Sequence, residues 1–441
     1  MNGPIRFLLA TWDGGGVLPP ELAIARKLLS RGHHVHVLAD PTVEDEARAA
    51  GCTFGAWTTA PHRTSRDRSA DLLRDYAYGN KMKYFDVMMR EFYAGPALRW
   101  IRDIEAEVAA RPVDVLLADS IIPSALIAAE KLGLPSASLS TTVYAIPTPG
   151  IPPFGMGLMP ARGPLGRARD AALRWMTKRF YDKVVPSFNA ARATLGMPPI
   201  RSALEQLTRA DRTLVLTSPA FDFTSPHVPS NVHWVGAQLD DPSWAETWRS
   251  PWPESDRRPL VLVGLSSTFQ DQVPLLQRCV DALATLPVRG LVTLGPTVGQ
   301  HEVRAAENVS VVASAPHAEI LREASLLVTH CGHGTTLKGL AAGVPLVCLP
   351  MGRDQSDNAA RVVHRGAGVR MKPTASADAI RRAVGTVLGN DAYRDAARKL
   401  GDLVRTNAGC SDPVEVLESL AAARRAHETT GARQASVHPC A

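Results

Sequence analysis

The sequence predicts an α/β protein with two Rossmann-like β/α/β domains that face a central cleft. The chain has 441 residues, which is enough for two domains. Short apolar runs alternate with amphipathic helical segments, a pattern typical of parallel sheets with crossover helices. The alternation stops at a stretch rich in Pro, Trp and charge, and then restarts. We therefore expect a first domain over residues 1–240, a linker over 241–258, a second domain over 259–423 and a flexible tail over 424–441.

The composition excludes several classes of protein. Apolar residues make up 45% and charged residues 21% of the chain, which excludes a coiled coil and a disordered charged protein. The formal net charge of +6 is spread without a basic block, so we expect no nucleic-acid partner. The six cysteines form no CxxC pair, which predicts reduced thiols in a cytoplasmic protein.

No segment predicts a membrane span. The apolar run near the N-terminus covers only residues 7–10, too few for a signal peptide or a spanning helix. A longer charge-free stretch lies between Lys131 and Arg162, but its six prolines would break a helix. We expect loop and strand there, packed on or near something apolar.

The first half of the chain predicts one βαβ unit and a later strand–helix pair. A Gly/Pro loop at Thr11–Pro20 separates the first strand from the first helix, and Asp119 directly follows a later strand. Residues 76–100 are rich in aromatic residues and methionine, which indicates either core packing or the wall of an apolar pocket. The predicted elements are, in order, a strand at Ile5–Ala10, a helix at Leu22–Ser30, a strand at Val35–Ala39, a strand at Val113–Ala118 and a helix at Pro123–Leu132.

The second half repeats the alternation and ends two adjacent strands in polar loops. The predicted elements are a strand at Leu260–Leu265, a polar loop at Ser266–Gln272, a helix at Pro274–Ala284, strands at Gly290–Leu294, Val309–Val312 and Leu326–Thr329, a loop at His330–Gly334, a helix at Thr335–Ala342, a strand at Val344–Leu349, and a loop at Pro350–Gln355 that leads into a further helix. Loops at the carboxyl ends of parallel strands are where open α/β sheets bind ligands.

The loop His330–Gly334 predicts an anion site. It opens directly into a helix, where free N–H groups and the hydroxyls of Thr335 and Thr336 suit a diphosphate, although a plain tight turn explains the glycines equally well. A zinc site is not supported, because no second ligand pair follows the histidines at metal spacing. The run Gly14–Gly16 fails as a dinucleotide fingerprint, since Pro19 occupies the third glycine position.

The run APHAEIL…THCGHGTTLKGLAAGVPLVCLPMGRDQSDNAA, residues 315–360, resembles the donor-binding signature of the family 1 nucleotide-sugar glycosyltransferases. These enzymes have the GT-B fold and glycosylate natural products. The resemblance implies an inverting transfer from a UDP- or TDP-activated sugar to a hydroxyl or phenol of an apolar small-molecule acceptor, as in antibiotic biosynthesis. It implies no metal and no cofactor beyond the nucleotide sugar, an acceptor-binding first domain, a donor-binding second domain, and a monomer or homodimer.

Site residues follow from the resemblance position by position. His330 corresponds to the histidine that contacts the donor diphosphate, and Asp354 and Gln355 to the pair that binds the sugar hydroxyls. Lys338 stands where the family often has a ribose-binding glutamate, so the choice between UDP and TDP stays open. The full set of predicted donor contacts is Ser267, Thr268, His317, Ala318, His330, Gly332, His333, Gly334, Thr335, Asp354 and Gln355.

The catalytic base is the main departure from the family pattern. The histidine expected before a proline in the first loop is missing, and Gly16 or Val17 takes its place. We therefore expect Asp13 or Asp119 to remove the acceptor proton, directly or through water, unless Asp13 merely caps the turn. A non-catalytic nucleotide-sugar-binding protein is the alternative. The predicted acceptor contacts are Tyr84, Met88, Tyr144 and Phe154.

Overall fold

Two parallel sheets form the framework of the protein. The computed structural model describes residues 3–79, 81–240 and 248–422, without the side chains of residues 81 and 82. The first sheet contains β1 (Arg6–Ala10), β2 (His34–Ala39), β3 (Thr53–Ala56), β4 (Val115–Asp119), β5 (Ser136–Ser140), β6 (Arg212–Val215) and β7 (Val232–Trp234). The second contains β8 (Leu260–Gly264), β9 (Arg289–Thr293), β10 (Val309–Val312), β11 (Ala324–Thr329), β12 (Leu346–Cys348) and β13 (Gly368–Arg370).

Helices connect the strands and cover both sheets. The first domain contains α1 (Leu18–Ser30), α2 (Glu44–Ala49), α3 (Lys81–Met88), α4 (Ala97–Ala110), α5 (Ser124–Leu132), α6 (Gly163–Tyr181), α7 (Val185–Thr194) and α8 (Ala203–Leu207), with a π-helical turn at Met89–Tyr93. The second contains α9 (Val273–Ala284), α10 (His317–Ile320), α11 (His333–Ala341), α12 (Gln355–His364), α13 (Ala377–Leu388) and α14 (Asp391–Arg405). A last helix, α15, spans residues 413–422. Short 3-10 helices lie at Pro41–Val43, Arg68–Ala70, Asp75–Ala77, Asp182–Val184 and Gln300–Glu302.

The strand order places a switch point in each sheet. The first sheet has the order β3-β2-β1-β4-β5-β6-β7 and the second β10-β9-β8-β11-β12-β13, with every ladder between these strands parallel. The order reverses between β1 and β4 in one sheet and between β8 and β11 in the other. Ligands bind outside the carboxyl ends of strands at such points. The predicted fold class is thereby confirmed as two Rossmann-like sheets.

Each sheet has an apolar layer on both faces. In the first domain, one layer includes Trp57 and Trp100, and the other joins α1 and the central strands to Leu417 of α15. The chain therefore returns to the first sheet after completing the second, so α15, which was predicted to be part of the second domain (259–423), packs against the first domain. The first seven residues of the predicted linker, 241–247, and the predicted tail, 424–441, lie outside the described residues.

Several element boundaries differ from the predicted ones. Helix α1 starts at Leu18, four residues before the predicted Leu22, because Pro19 and Pro20 fit its first turn, where no intrahelical N–H bond is needed. Helix α11 starts at His333 rather than at Thr335. The charge-free stretch after Lys131 forms β5 and loops, as expected, and none of the described helices is long and apolar enough to cross a membrane.

A buried ion pair ties the two domains together, and its removal should destabilise the protein. Asp222 accepts hydrogen bonds from Arg361 on α12, from the Tyr144 N–H and from the Trp234 indole, and both charged side chains are almost fully buried. We expect Asp222→Ala to lower the free energy of unfolding by about 3–5 kcal/mol, because it leaves a buried guanidinium unpaired. Urea denaturation at pH 7 measures this.

The control for this prediction is Asp378→Ala, which removes an exposed carboxylate that pairs with Arg381 and Arg382. Exposed pairs contribute little, so the stability of this variant should barely change. Equal loss of stability in both variants would contradict the role given to Asp222.

Candidate active site

A cavity of about 940 Å³ lies where the carboxyl ends of the two sheets face each other. Loops after β1, β4 and β5 form one wall, and loops after β8, β9, β11 and β12 form the other. Most residues predicted from the sequence line it: Asp119, Tyr84, Met88, Tyr144, Phe154, Ser267, Thr268, His317, His330, Gly332, His333, Gly334, Thr335, Asp354 and Gln355. Asp13 and Ala318 do not line it.

The N-terminus of α11 forms the polar floor of the second domain's wall. Gly332 precedes the helix, and Cys331 before it adopts a left-handed φ of 67° while its N–H donates to the Thr329 hydroxyl at 3.2 Å. This turn aims the first N–H groups of α11 at the cavity. Such groups have no partner within their own helix and, with the helix dipole, attract anions.

His330 lies buried beside this helix terminus. Burial lowers the pKa of its imidazole to about 4, and the nearby Asp354 carboxylate only partly opposes this effect. The ring is therefore neutral at pH 7. His333 is also buried, and its Nδ1 lies 3.3 Å from Asn358 Oδ1. His317 also lines the cavity, and its Nε2 lies 2.9 Å from the Thr293 hydroxyl.

Asp354 and Gln355 line the cavity, but their side chains also have partners in the protein. Asp354 Oδ2 accepts hydrogen bonds from the Thr142 hydroxyl at 2.7 Å and from Asn358 Nδ2 at 2.9 Å. Gln355 Oε1 accepts from two backbone N–H groups, and Nε2 donates to Gln270 Oε1 at 2.8 Å. A sugar that binds here has to use the remaining N–H of Gln355, because its carbonyl oxygen is already engaged.

Arg353 brings positive charge to the centre of the site. Its Nε donates to Asp75 Oδ2 of the first domain at 2.9 Å, and its Nη1 donates to the Thr268 hydroxyl at 2.7 Å. Arg353 has a left-handed φ of 53°. The pair could not be predicted from the sequence, because the partners are 278 residues apart and no local pattern marks either one.

The glycine run after β1 serves the contact between the domains. Gly15 has a φ of 69°, and a Cβ on it would lie 2.7 Å from Thr268 Cγ2 and 2.8 Å from Ser267 Oγ. A side chain at this position would push the two domains apart. The close approach of the two domains therefore explains the glycine at this position without a dinucleotide site.

The structure argues against Asp13 as the base. Asp13 is buried outside the large cavity, where Arg66 Nε donates to its Oδ2 at 3.0 Å and the Thr42 hydroxyl donates at 2.7 Å. Burial acts to raise the pKa of Asp13, but the charge of Arg66 and these hydrogen bonds outweigh it and hold the pKa below its usual value. Asp13 also accepts the N–H of Gly15 at 3.4 Å, so it shapes the turn.

Asp119 is placed differently. It ends β4 at the switch point, lines the cavity, and accepts the Ile121 N–H through Oδ1 at 2.6 Å. Its neighbour is Glu21 of α1, which the sequence analysis did not select. Its spacing could have marked Glu21 as a buried acid, because Glu21 lies three residues after Leu18 and one before Leu22, on the apolar face of the helix.

The opposite end of the cavity is apolar and aromatic. The region 76–100 was interpreted as either core packing or the wall of an apolar pocket, and each interpretation holds for some of its residues. Phe92 packs in the core, while Tyr84 and Met88 face the cavity. Tyr144 is buried there, and Phe154 also packs against the core of the second domain. The described residues contain no group of three His, Cys, Asp or Glu side chains that could hold a metal ion.

Comparisons with known proteins agree with this geometry. Residues 277–423 match the family described as erythromycin biosynthesis protein CIII-like, C-terminal domain. The chain is 29% identical to 4'-demethylrebeccamycin synthase of Lentzea aerocolonigenes, over 94% of this chain and 99% of that protein. It is 26% identical to oleandomycin glycosyltransferase of Streptomyces antibioticus, over 96% and 92%. The solved glycotransferase of kitacinnamycin has a TM-score of 0.74 at 23% identity, covering 95% of this chain and all of that one.

Gly334 should matter for ligand approach and not for folding. A Cβ on Gly334 would meet no atom within 4 Å, so the fold itself does not require glycine there. We expect Gly334→Ala to fold normally but to weaken binding of a UDP- or TDP-sugar about tenfold or more, because the added methyl group blocks approach to the first N–H groups of α11. Calorimetric titration with the nucleotide sugar measures the change.

Gly385→Ala is the matched control for this substitution. Gly385 lies inside α13, away from the cavity, and its added Cβ would also meet nothing within 4 Å. It should keep wild-type affinity. Unchanged affinity in Gly334→Ala, or equal weakening in both variants, would show that the diphosphate does not bind at α11.

Proposed function

We propose that the chain is a family 1 nucleotide-sugar glycosyltransferase with the GT-B fold, and that it moves a sugar from a UDP- or TDP-activated donor to a hydroxyl or phenol of an apolar natural product. The observation that carries the proposal is the cavity between the sheets. One wall offers a helix N-terminus and His330 to a diphosphate, and the other offers Asp119 beside an apolar pocket.

The second domain is proposed to hold the donor. The diphosphate accepts hydrogen bonds from the N–H groups of Gly334 and Thr335, and the side chain of His330 lies beside it. Asp354 and the free N–H of Gln355 bind the sugar hydroxyls. Fixed N–H groups stabilise the negative charge that grows on the diphosphate as the glycosidic bond breaks, without the reorganisation that water would need.

The first domain is proposed to hold and activate the acceptor. An aglycone packs against Tyr84, Met88, Tyr144 and Phe154, which bury its apolar surface. Asp119 takes the proton of the attacking hydroxyl, directly or through water, while the oxygen attacks the anomeric carbon opposite the diphosphate. The configuration at that carbon inverts, because attack and departure occur on opposite faces.

Three further properties belong to this proposal. The N–H groups of α11 and the guanidinium of Arg353 supply positive potential at the diphosphate, so we propose that transfer needs no metal. We also propose a cytoplasmic enzyme, in keeping with the unpaired state of the five cysteines in the described part of the chain. We propose that it acts as a monomer or a homodimer.

The test of this function is an incubation of the protein with UDP- and TDP-sugars and a panel of phenolic, polyketide and macrolide acceptors. Mass spectrometry should show an acceptor that gains one hexose, and the yield should be the same after treatment with EDTA. Proton NMR of the product should show the anomeric configuration opposite to that of the donor. Tight binding of nucleotide sugars with no transfer to any acceptor would instead support the non-catalytic alternative.

Replacement of the two candidate aspartates separates their roles. We expect Asp119→Asn to lower kcat by about 10²–10⁴-fold with donor saturating, because the amide cannot accept the acceptor proton. Asp13→Asn should lower kcat less than about tenfold, since its carboxylate shapes a turn and pairs with Arg66 outside the cavity. Wild-type turnover in Asp119→Asn would exclude this aspartate as the base.

A further inference from the structure

Two buried carboxyl groups, Glu21 and Asp119, lie within hydrogen-bonding reach of each other, and of the two only Asp119 lines the cavity. Glu21 is fully buried in the first turn of α1, and Asp119 is 1% exposed at the end of β4. The Thr11 hydroxyl donates to Glu21 Oε2, and the Ile121 N–H donates to Asp119 Oδ1. The other two oxygens, Glu21 Oε1 and Asp119 Oδ2, are buried without a donor from any other described group.

Electrostatics require these two groups to share a proton. Two ionised carboxylates close together in a dry environment repel each other, and no cation of the described residues acts on either one to offset the cost of burial. Burial and the negative charge of Asp119 raise the pKa of Glu21 well above its usual value. Burial also raises the pKa of Asp119, to about 6, while the hydrogen bond from Glu21 limits the rise. The pair therefore titrates as one unit.

We infer that Glu21 is a positioning residue that stays protonated at neutral pH and donates its carboxyl proton to Asp119 Oδ2. The pair then carries one proton and one negative charge, and the charge lies on Asp119, the member that reaches the cavity. This inference rests on the proposed function, in which Asp119 is the base. It assigns to Glu21 the task of keeping a buried carboxylate ionised where the first loop offers Gly16 or Val17 in place of a histidine.

Few other titratable groups act on the pair. Burial raises the pKa of the Tyr93 phenol well above its usual value, and the charge of Asp119 adds to this effect, so Tyr93 stays neutral. Asp13 and Asp40 of the neighbouring strand ends bind Arg66 and backbone N–H groups instead. The acid–base behaviour of the site is therefore that of Glu21 and Asp119.

The proton balance of transfer follows from this arrangement. The acceptor O–H proton passes to Asp119 as the acceptor oxygen bonds to the anomeric carbon, and the bond to the diphosphate breaks with its electron pair on the leaving oxygen. Glu21 keeps its own proton throughout. Asp119 then releases the extra proton to solvent, which restores the singly charged pair for the next turnover.

The pH dependence of kcat/KM in two variants tests the inference. In the wild-type protein, kcat/KM should decrease on the acid side of the profile with a midpoint near pH 6. In Glu21→Gln an amide N–H replaces the carboxyl donor, so the limb should stay within half a unit of wild type. In Glu21→Leu no donor remains, so the pKa of Asp119 should rise and the limb should move up by one unit or more, with kcat/KM at pH 6 at least about fivefold lower.

Two outcomes would overturn the inference. If Glu21 has only a structural role, Glu21→Leu should lower kcat/KM by the same factor at every pH, and the acid limb should not move. An ionised Glu21 would produce the opposite shift, because either substitution would then remove a negative charge and move the limb to lower pH. Thermal melting of each variant shows whether it has folded.

Infrared spectroscopy of the wild-type protein tests the shared proton without any variant or substrate. At pH 7.5 the spectrum should contain the carbonyl stretch of a protonated carboxylic acid. This band should shift when glutamate is labelled with carbon-13 and stay in place when aspartate is labelled. A spectrum without that band would overturn the inference even if transfer occurs. Failure of the wild type to transfer any sugar would overturn the proposed function. The infrared spectrum would still show whether Glu21 is protonated.

Discussion

All strands of a parallel sheet end at the same edge, and in this protein the two sheets turn those edges toward each other. The groups assigned to the diphosphate, to the sugar and to proton removal follow a strand end or lie in the first turn of a helix at that edge. The separation of the two edges is held by contacts across the cavity. Gly15 touches Ser267 and Thr268, Asp75 pairs with Arg353, and Asp222 pairs with Arg361. The site exists because these contacts fix two separate sheets in one orientation.

The two walls of the cavity have opposite electrostatic character, which suits the two halves of the transfer. Charge must move from the acceptor oxygen toward the diphosphate. The donor wall has the N-terminus of α11 and Arg353, which favour the anion that departs. The acceptor wall has a carboxyl pair with a single negative charge, which favours removal of a proton. The mild positive net charge of the chain contributes little to stabilising the anion or to removing the proton, because both effects come from groups at the site.

The sequence was sufficient for the features that depend on neighbours in the chain. The alternation of strands and helices and the loop His330–Gly334 are local patterns, and the family resemblance that rests on them is confirmed by the comparisons. The relatives give no support to the non-catalytic alternative. The predicted start of α1 was four residues too late, because prolines fit the first turn of a helix as well as a loop.

Features that depend on distant partners could not be predicted. Asp13 is the only ionisable residue of its loop and therefore looked like a base, but the structure shows that Arg66, 53 residues away, holds it outside the cavity. Gln355 could be placed at the sugar, yet its engagement by Gln270 depends on a loop 85 residues earlier. Glu21 could not be selected from the sequence, because only the fold brings Asp119 beside it.

The most direct test of the account is a crystal structure of the protein with UDP or TDP bound. The account predicts that the diphosphate lies against the first turn of α11, with oxygens within hydrogen-bond distance of the N–H groups of Gly334 and Thr335 and beside His330. It also predicts that the side of the diphosphate where the sugar attaches faces Asp119 across the cavity. A diphosphate bound instead at the loop Gly14–Gly16, or outside the cavity, would contradict it.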